Sequence, residues 1–303
     1  MNALSNKIDF AVIICVKVAN PNGDPLNGNR PRVDFNGYGE ISDVCIKRKI
    51  RNRLLDMTAH SIFVQSNDRK DDSYGSLKER LVGTLGNDIL KDRKALYEQA
   101  CQRWFDVRAF GQVFPFKGSD SKGKKGKGVD AVENNEEEDK SVSVGVRGPV
   151  SIHPAFSVAT VQDRISSEQI TKSVNLEGDD STRGSDTMGM KHRVDHGVYV
   201  FYGSMNPQLA TKTGFSDEDA KSIKEALKTL FRNDASSARP EGSMEVYKLY
   251  WWEHNNPNGQ YSSAKVHRLL EVKPNKEEPN NIADYDIKLA ELPGLKCEVI
   301  DGE

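Results

Sequence analysis

The sequence DFAVIICVKVA, residues 9–19, carries the strongest structural signal in the chain. It is β-branched and almost continuously apolar, a pattern typical of a strand inside a sheet that is covered on both faces. The next twelve residues, 20–31, read NPNGDPLNGNRP and contain three prolines, two glycines and four asparagines. This density of turn-forming residues predicts a long, structured loop directly after the central strand. Residues 33–41 follow with Asn36-Gly37 near their middle, a pair that favours a short hairpin.

A basic helix is predicted over residues 42–57. Ser42 supplies a capping hydroxyl, and Asp43 places a negative charge at the positive end of the helix dipole. Apolar residues share one side of this helix: Ile46, Ile50, Leu54 and Met57. Its five cations are Lys47 and Arg51, which flank the apolar side, Lys49 and Arg53 towards the other edge, and Arg48, roughly opposite.

The order of the remaining elements predicts the fold class. Strand patterns recur at residues 142–161, 194–205 and 244–253, and a second capped helix is predicted at 216–233. The order strand, helix, strands, helix, strand is that of an α+β fold of the RNA-recognition-motif (ferredoxin-like) type. Residues 58–141 interrupt it with a charged helical insertion. Within that insertion, a Gly, Ser and Lys tract followed by an acidic run predicts a mobile loop at 117–139.

Composition narrows the class of protein. The 303 residues include 43 Lys plus Arg and 45 Asp plus Glu, and the net charge of −2 excludes a uniformly basic, histone-like surface. The charges are segregated, with eight basic and four acidic residues in 17–53 but four basic and nine acidic residues in 271–303. The four cysteines are far apart and indicate neither a zinc site nor a disulfide framework. The apolar run at 10–18 is too short to span a bilayer and does not resemble a secretion signal, so we expect a cytoplasmic protein.

Motifs for catalysis are weak. The sequence contains no P-loop, G-x-S-x-G elbow, kinase signature or dinucleotide fingerprint. His192 and His196 have the spacing of helical zinc ligands, but the glutamate base of that motif is missing, so we interpret them as polar residues at a strand end. Asp24 and Asp34 are candidates for a general base or metal ligand in phosphodiester cleavage, although Asp24 fits a turn better.

A phosphate-binding constellation is the stronger functional signal. Guanidinium forks, ammonium groups and unobstructed glycine amides can all approach phosphate closely. The loop and the basic helix supply Arg30, Arg32, Lys47, Arg48 and Arg51. A second hint is STRGSDTMGMKHR, residues 181–193, because an unbranched apolar side chain at a loop tip can wedge between bases. A solvated helix face and an ordinary surface loop are the alternatives to these two interpretations.

Two blocks of sequence resemble a known family. They are NPNGDPLNGNRPRVDFNGYGEISDVCIKRKIRN, residues 20–52, and TMGMKHRVDHGVYVFYGSMNP, residues 187–207. Together they resemble the backbone subunit of type I CRISPR Cascade complexes, the Cas-seven family, and within it the subtype I-C member. Type III backbone subunits cleave target RNA with an aspartate after the first strand, and Asp34 lies in that general region. The NPNGDPLNG block nevertheless follows the type I pattern, in which the subunit is not a nuclease.

The resemblance implies a right-hand-like shape. The palm would comprise residues 1–57, 142–163 and 194–303, with helical fingers at 58–141 and a thumb hairpin in the region 164–193. Copies would stack head to tail along a CRISPR RNA and present it to target double-stranded DNA beside the cap, large and small subunits. The resemblance implies no cofactor, metal or enzymatic activity.

The resemblance also assigns roles to residues. The guide-phosphate contacts would be Arg30, Arg32, Lys47, Arg48 and Arg51. The residues in or near the thumb would be Arg183, Met188, Met190 and Lys191, with Met188 as the wedge.

Overall fold

The computed structural model describes residues 2–57, 60–116, 142–171 and 188–303, with the backbone alone at 115, 116, 142, 171 and 188. The predicted loop at 117–139 and Arg183 lie outside the described residues. The strands are β1 Ile8–Ala19, β2 Gly23–Asp24, β3 Arg30–Pro31, β4 Tyr38–Ile41, β5 Gly111–Phe116, β6 Val142–Arg147, β7 Val150–Ile152, β8 Ala155–Thr160, β9 Ile165–Thr171, β10 Met188–Met205, β11 Met244–Glu253, β12 Leu270–Pro274, β13 Tyr285–Leu289 and β14 Cys297–Asp301. The helices are α1 Asp43–Asp56, α2 Leu77–Leu85, α3 Arg93–Arg103, α4 Phe105–Phe110, α5 Pro207–Thr213, α6 Asp217–Lys228 and α7 Ser263–His267.

A large antiparallel sheet organises this mixed α/β chain. Its strand order is β14-β11-β1-β10-β8-β4, and β7 and β9 pair with other parts of β10. Phe10 of β1 lies opposite Trp251 on one side and Gly203 on the other. Residues 8–16 of β1 are all buried, so the prediction of a central strand covered on both faces is confirmed.

Helices α1 and α6 cover one face of the sheet. Ile50 of α1 and Ile223 of α6 share a core with Phe10 and Phe201 of the sheet. Both helices begin where the sequence predicts: the Ser42 hydroxyl accepts the Cys45 N–H, and a capping box starts α6. α6 ends at Lys228, before the predicted end at 233, because its last turn gives way to irregular turns.

The C-terminal part of the chain covers the other face of the sheet. Val266 of α7 and Tyr285 of β13 pack against Ile13 and Val198 of the sheet. With both faces covered, the sheet as described presents no open aromatic platform of the kind that stacks RNA bases in RNA-recognition motifs.

The helical insertion has a core of its own. Phe63, Leu96 and Trp104 pack with residues of the β5–β6 hairpin. The sequence assigns residues 142–147 to the palm, but β6 pairs with β5 along its whole length and so belongs to the insertion. The insertion therefore extends to Arg147. Gly148 follows at a close crossing of two segments, where a side chain would overlap the carbonyl oxygen of Ala109.

A hairpin extends from the main sheet. β9 pairs with the first part of β10, from Thr171 opposite Met188 to Ile165 opposite Val194. The same strand then continues between β1 and β8 in the main sheet. Its paired strands, 165–171 and 188–194, lie almost entirely within residues 164–193, the segment for which the resemblance implies a thumb. Across the described ranges, no helix is both long and apolar enough to cross a membrane.

Candidate nucleic-acid interface

Asparagine side chains hold the loop after β1 in shape. The Asn20 Nδ2 group donates to the carbonyl oxygen of Asn29 at 2.7 Å. Oδ1 of Asn22 accepts both the N–H and the hydroxyl of Ser42, each at 2.9 Å. Because Ser42 caps α1, these bonds fix the loop against the first turn of the basic helix. The predicted structured loop is confirmed.

The two aspartates of this region have structural partners. The Asp24 carboxylate accepts the Leu26 N–H at 3.1 Å, which confirms its interpretation as a turn residue. Oδ1 of Asp34 accepts the N–H groups of Asn36 and Tyr38 at 2.9 Å each. Gly37 follows with φ +83°, in the left-handed region that glycine adopts freely. The predicted Asn36-Gly37 turn is therefore present, and β4 leads from it into the main sheet.

A groove of about 770 Å³ lies beside this loop and α1. Four segments line it: Asn22, Gly23, Pro25 and Arg32 after β1; Ser42, Val44, Cys45, Arg48, Lys49 and Asn52 around α1; Ser66, Asp68 and Arg69 in the insertion; and Asp234, Ala235, Ser236 and Arg239 after α6. The groove thus joins the predicted loop and helix to two segments that are remote in sequence.

The groove is cationic. Its lining contains four arginines and one lysine but only two carboxylates, those of Asp68 and Asp234. The Arg48 side chain is exposed and, within the described part of the chain, makes no ion pair. Arg32 is half-exposed, with its guanidinium 3.6 Å from the Asp24 carboxylate. These two guanidinium groups remain accessible to a phosphate.

Charged side chains on the inner wall of the groove form ion pairs with one another. The buried Lys49 ammonium forms an ion pair with Asp234, whose carboxylate also accepts Nε of Arg239 at 3.2 Å. Burial lowers the pKa of Lys49, while the Asp234 carboxylate opposes that shift. On the insertion side, a hydrogen bond from Ser66 lowers the pKa of Asp68, and the charges of Arg69 and Arg48 act in the same direction.

The other cations of α1 have partners within the fold. Lys47 pairs with Asp43 at 3.0 Å along the helix surface. Nε of Arg51 lies 2.9 Å from the carboxylate of Asp106, and these side chains are 13% and 1% exposed. The ion pair engages the Arg51 guanidinium inside the fold, which favours a structural role over the predicted phosphate contact.

The sequence of this chain matches the model of a known protein family. The family model described as CRISPR-associated protein Cas7 covers residues 6–290 of this chain. The chain belongs to the Cas7 family. A Cas7 relative from Haloferax volcanii, described as CRISPR-associated protein Cas7, is 26% identical over 291 residues, covering 95% of this chain and 82% of the relative.

Two solved structures are also similar to this Cas7-family chain. One, titled "CRISPR RNA-guided surveillance complex, pre-nicking", gives a TM-score of 0.43 at 14% identity, over 81% of this chain and 78% of that one. The other, titled "CRISPR RNA-guided surveillance complex", gives a TM-score of 0.39 at 15% identity, over 81% and 68% of the two chains.

The hairpin of the Cas7-family fold lies against the loop. Nη1 of Arg30 donates to the Ser167 hydroxyl at 3.1 Å, and that hydroxyl lies 2.7 Å from Nδ1 of His192. On the same hairpin Met190 is 54% exposed and Lys191 is half-buried. Met188 begins β10, and the structure describes only its backbone.

No metal site emerges in the described residues. His192 and His196 both lie on β10, and at the rise of an extended strand they are about 13 Å apart, too far for one ion. Both are strand residues as interpreted, but they lie inside β10 and not at a strand end. Within the described ranges, no group of three His, Cys, Asp or Glu side chains could hold a metal ion. All four cysteines are free thiols.

Two cationic residues of the groove, Arg69 and Arg239, have no signal in the sequence. Arg69 bonds to Asp56 at the end of α1, and Arg239 bonds to Asp234. Both arginines belong to segments without a local motif, so only the tertiary fold brings them beside Arg48.

Proposed function

We propose that this chain is a multicopy CRISPR RNA-binding backbone subunit of a Cascade surveillance complex of subtype I-C. The cationic groove carries the proposal. Arg32 and Arg48 offer accessible guanidinium groups on a surface formed by the loop and α1. Contacts to phosphate fix the register of a nucleic acid without reading its bases. Such a grip suits a subunit that serves any guide and leaves sequence reading to base pairing.

The palm in this proposal is of the RNA-recognition-motif type. Its support is the strand order β11-β1-β10-β8, with α1 following β1 and α6 following β10 on one face. Because the opposite face is covered, we place the guide in the groove beyond the end of β1 rather than across the sheet.

The assembly follows from the same proposal. Copies stack head to tail on the guide, since a heterologous contact that does not close gives a helical filament. The β9–β10 hairpin is the thumb, and one of its methionines displaces a guide base, Met188 as the sequence predicts or Met190, whose side chain is exposed. The filament presents the guide to target double-stranded DNA beside the cap, large and small subunits.

We further propose that the subunit is not an enzyme. One carboxylate oxygen of Asp34 accepts hydrogen bonds from two N–H groups of its own turn, which supports a structural role. The rival function is a metal-dependent ribonuclease that uses Asp34 against target RNA.

The test of guide binding is its salt dependence. Replacing Arg48 by Ala should weaken binding and reduce the slope of log K against log salt by about 0.7, the value for one phosphate contact on a single strand. Lys221→Ala is the matched control, because Lys221 is an exposed cation of α6 outside the groove lining. An unchanged slope in Arg48→Ala would show that the groove does not contact the phosphates of the guide.

The test of the rival is incubation of guide-loaded protein with complementary RNA and Mg²⁺. We expect the RNA to remain intact. Periodic cleavage that disappears in Asp34→Asn would establish the ribonuclease. Asn is preferred to Ala here because its amide oxygen can accept the same two backbone N–H bonds and keep the turn.

A further inference from the structure

Phe35 is an apolar side chain with no role in the core. It is fully exposed at the tip of the turn that Asp34 organises. Within the described part of the chain its ring has no aromatic or cationic partner. Exposed apolar residues are common as isolated cases, so exposure alone decides nothing.

The turn that holds Phe35 is fixed at several points. Asp34 accepts two N–H groups inside the turn. The carbonyl oxygen of Gly37 accepts the N–H groups of Val161 and Gln162 at 2.9 and 3.2 Å, which fastens the turn to the end of β8. Val33 and Gly39 close its base with an isolated bridge. An aromatic ring displayed on a backbone this well anchored is pre-organised for contact with a partner.

Phe35 follows the loop arginines Arg30 and Arg32 closely in the chain. Arg32 lines the groove, and its carbonyl oxygen accepts the Glu40 N–H at 2.9 Å in the same hairpin. Three residues of chain span at most about 11 Å, or about three steps of a stacked strand. A nucleic acid whose phosphate meets Arg32 therefore has bases within reach of Phe35.

We propose that Phe35 is a base-stacking residue for an unpaired nucleotide of the strand held in the groove. The proposal rests on the proposed function, since it requires an RNA in that groove. A phenyl ring has no hydrogen-bonding group, and every base has a π-face, so stacking of this kind tolerates any sequence. Phe35 therefore suits a subunit that must hold guides of every sequence.

The experiment compares Phe35→Ala, Phe35→Leu and Phe35→Trp on a guide RNA carrying 2-aminopurine at single positions. Leu26→Ala is the matched control, because Leu26 is an almost fully exposed apolar residue of the preceding loop and has no ring. We expect Phe35→Ala and Phe35→Leu to bind about tenfold more weakly with an unchanged salt slope, since stacking involves no phosphate. The 2-aminopurine emission at one repeating position should rise in these variants, and Phe35→Trp should restore binding with its own emission quenched by RNA.

Three outcomes would overturn the inference. Wild-type affinity and unchanged 2-aminopurine emission in Phe35→Ala would exclude stacking. A second outcome is that Phe35→Leu behaves like the wild type, while fewer copies of Phe35→Ala bind to each guide. If Phe35→Ala also bound normally to an oligonucleotide long enough for only one copy, Phe35 would contact a second copy of this chain and not a base. Failure of the wild type to bind any guide would defeat the proposed function as well, whereas the first two outcomes leave it intact. A thermal unfolding scan of each variant shows that the fold is retained.

Discussion

Replacing Arg51 by Met should separate a structural cation of α1 from Arg48, the proposed phosphate contact on the same helix. The guanidinium lies 2.9 Å from Asp106, and that carboxylate also accepts the N–H groups of Phe63 and Val64 at 2.7 and 3.0 Å. The pair therefore joins the basic helix to the first segment and α4 of the helical insertion. Methionine keeps an apolar stem but removes the guanidinium, and with it the hydrogen bond to Asp106 and the cation–π contact with Phe110.

The size of the effect follows from the burial of Asp106. Removing one partner of a buried ion pair costs about 3–5 kcal/mol, because the remaining charge is left uncompensated. Asp106 retains two backbone N–H donors, so we expect the low end, a loss of about 3 kcal/mol in the free energy of unfolding. The matched substitution Arg48→Met removes an exposed charge and should change stability by no more than about 0.5 kcal/mol.

Urea unfolding and the salt dependence of guide binding measure the two effects independently. We expect Arg51→Met to unfold at lower urea while its salt slope under native conditions equals that of the wild type. Arg48→Met should unfold at the same urea concentration as the wild type and show a smaller salt slope. The reasoning would be refuted if Arg51→Met unfolded like the wild type and flattened the salt slope, because Arg51 would then be a phosphate ligand.

Three further predictions concern stability and reactivity. Val18 is a β-branched residue at φ +54°; Val18→Asn should raise the free energy of unfolding by about 1 kcal/mol, whereas Val18→Ile, which keeps the strain, should not. Burial, and next the charge of Arg108, lowers the pKa of His60 from 6.5. As the pH drops below 6.5, the unfolded chain therefore binds a proton that the folded chain does not, and the free energy of unfolding should fall. The fall should be smaller in His60→Gln. Identical urea midpoints of the two proteins across pH 5–8 would contradict this. Burial raises the pKa of Cys15 to about 12 and those of Cys101 and Cys297 to about 11. Alkylation of these thiols at pH 8 should therefore be slow in the folded protein and fast in urea. Rapid alkylation of the folded protein would contradict this prediction.

Local signals in the sequence predicted the central elements well. The apolar run at 9–19 became β1, and the strand at 244–253 has the predicted bounds. Ser42 caps α1 because a hydroxyl before an amphipathic run satisfies the free amides of the first turn. These signals act within a few residues, where sequence and structure are directly coupled.

The fate of individual charges could not be predicted in the same way. Arg48 and Arg51 look alike in the sequence, but the partner of Arg51 lies 55 positions away in α4. Arg69 and Arg239 reach the groove only through the packing of the insertion and the segment after α6. Likewise β6 has the pattern of a palm strand, and its pairing with β5 is a long-range choice. Charge patterns mark a candidate surface, and the tertiary fold decides which cations remain accessible.

The continuity of β10 has a mechanical consequence. Its 18 residues form about 60 Å of extended chain, one end of which lies in the hairpin while the other crosses the centre of the main sheet. The hairpin is therefore a direct extension of a central strand of the main sheet and is not attached to the protein only at its surface. In the proposed complex, a load that the guide applies near Met188 would pass along β10 to its hydrogen bonds with β1 and would strain a strand whose residues 8–16 are all buried.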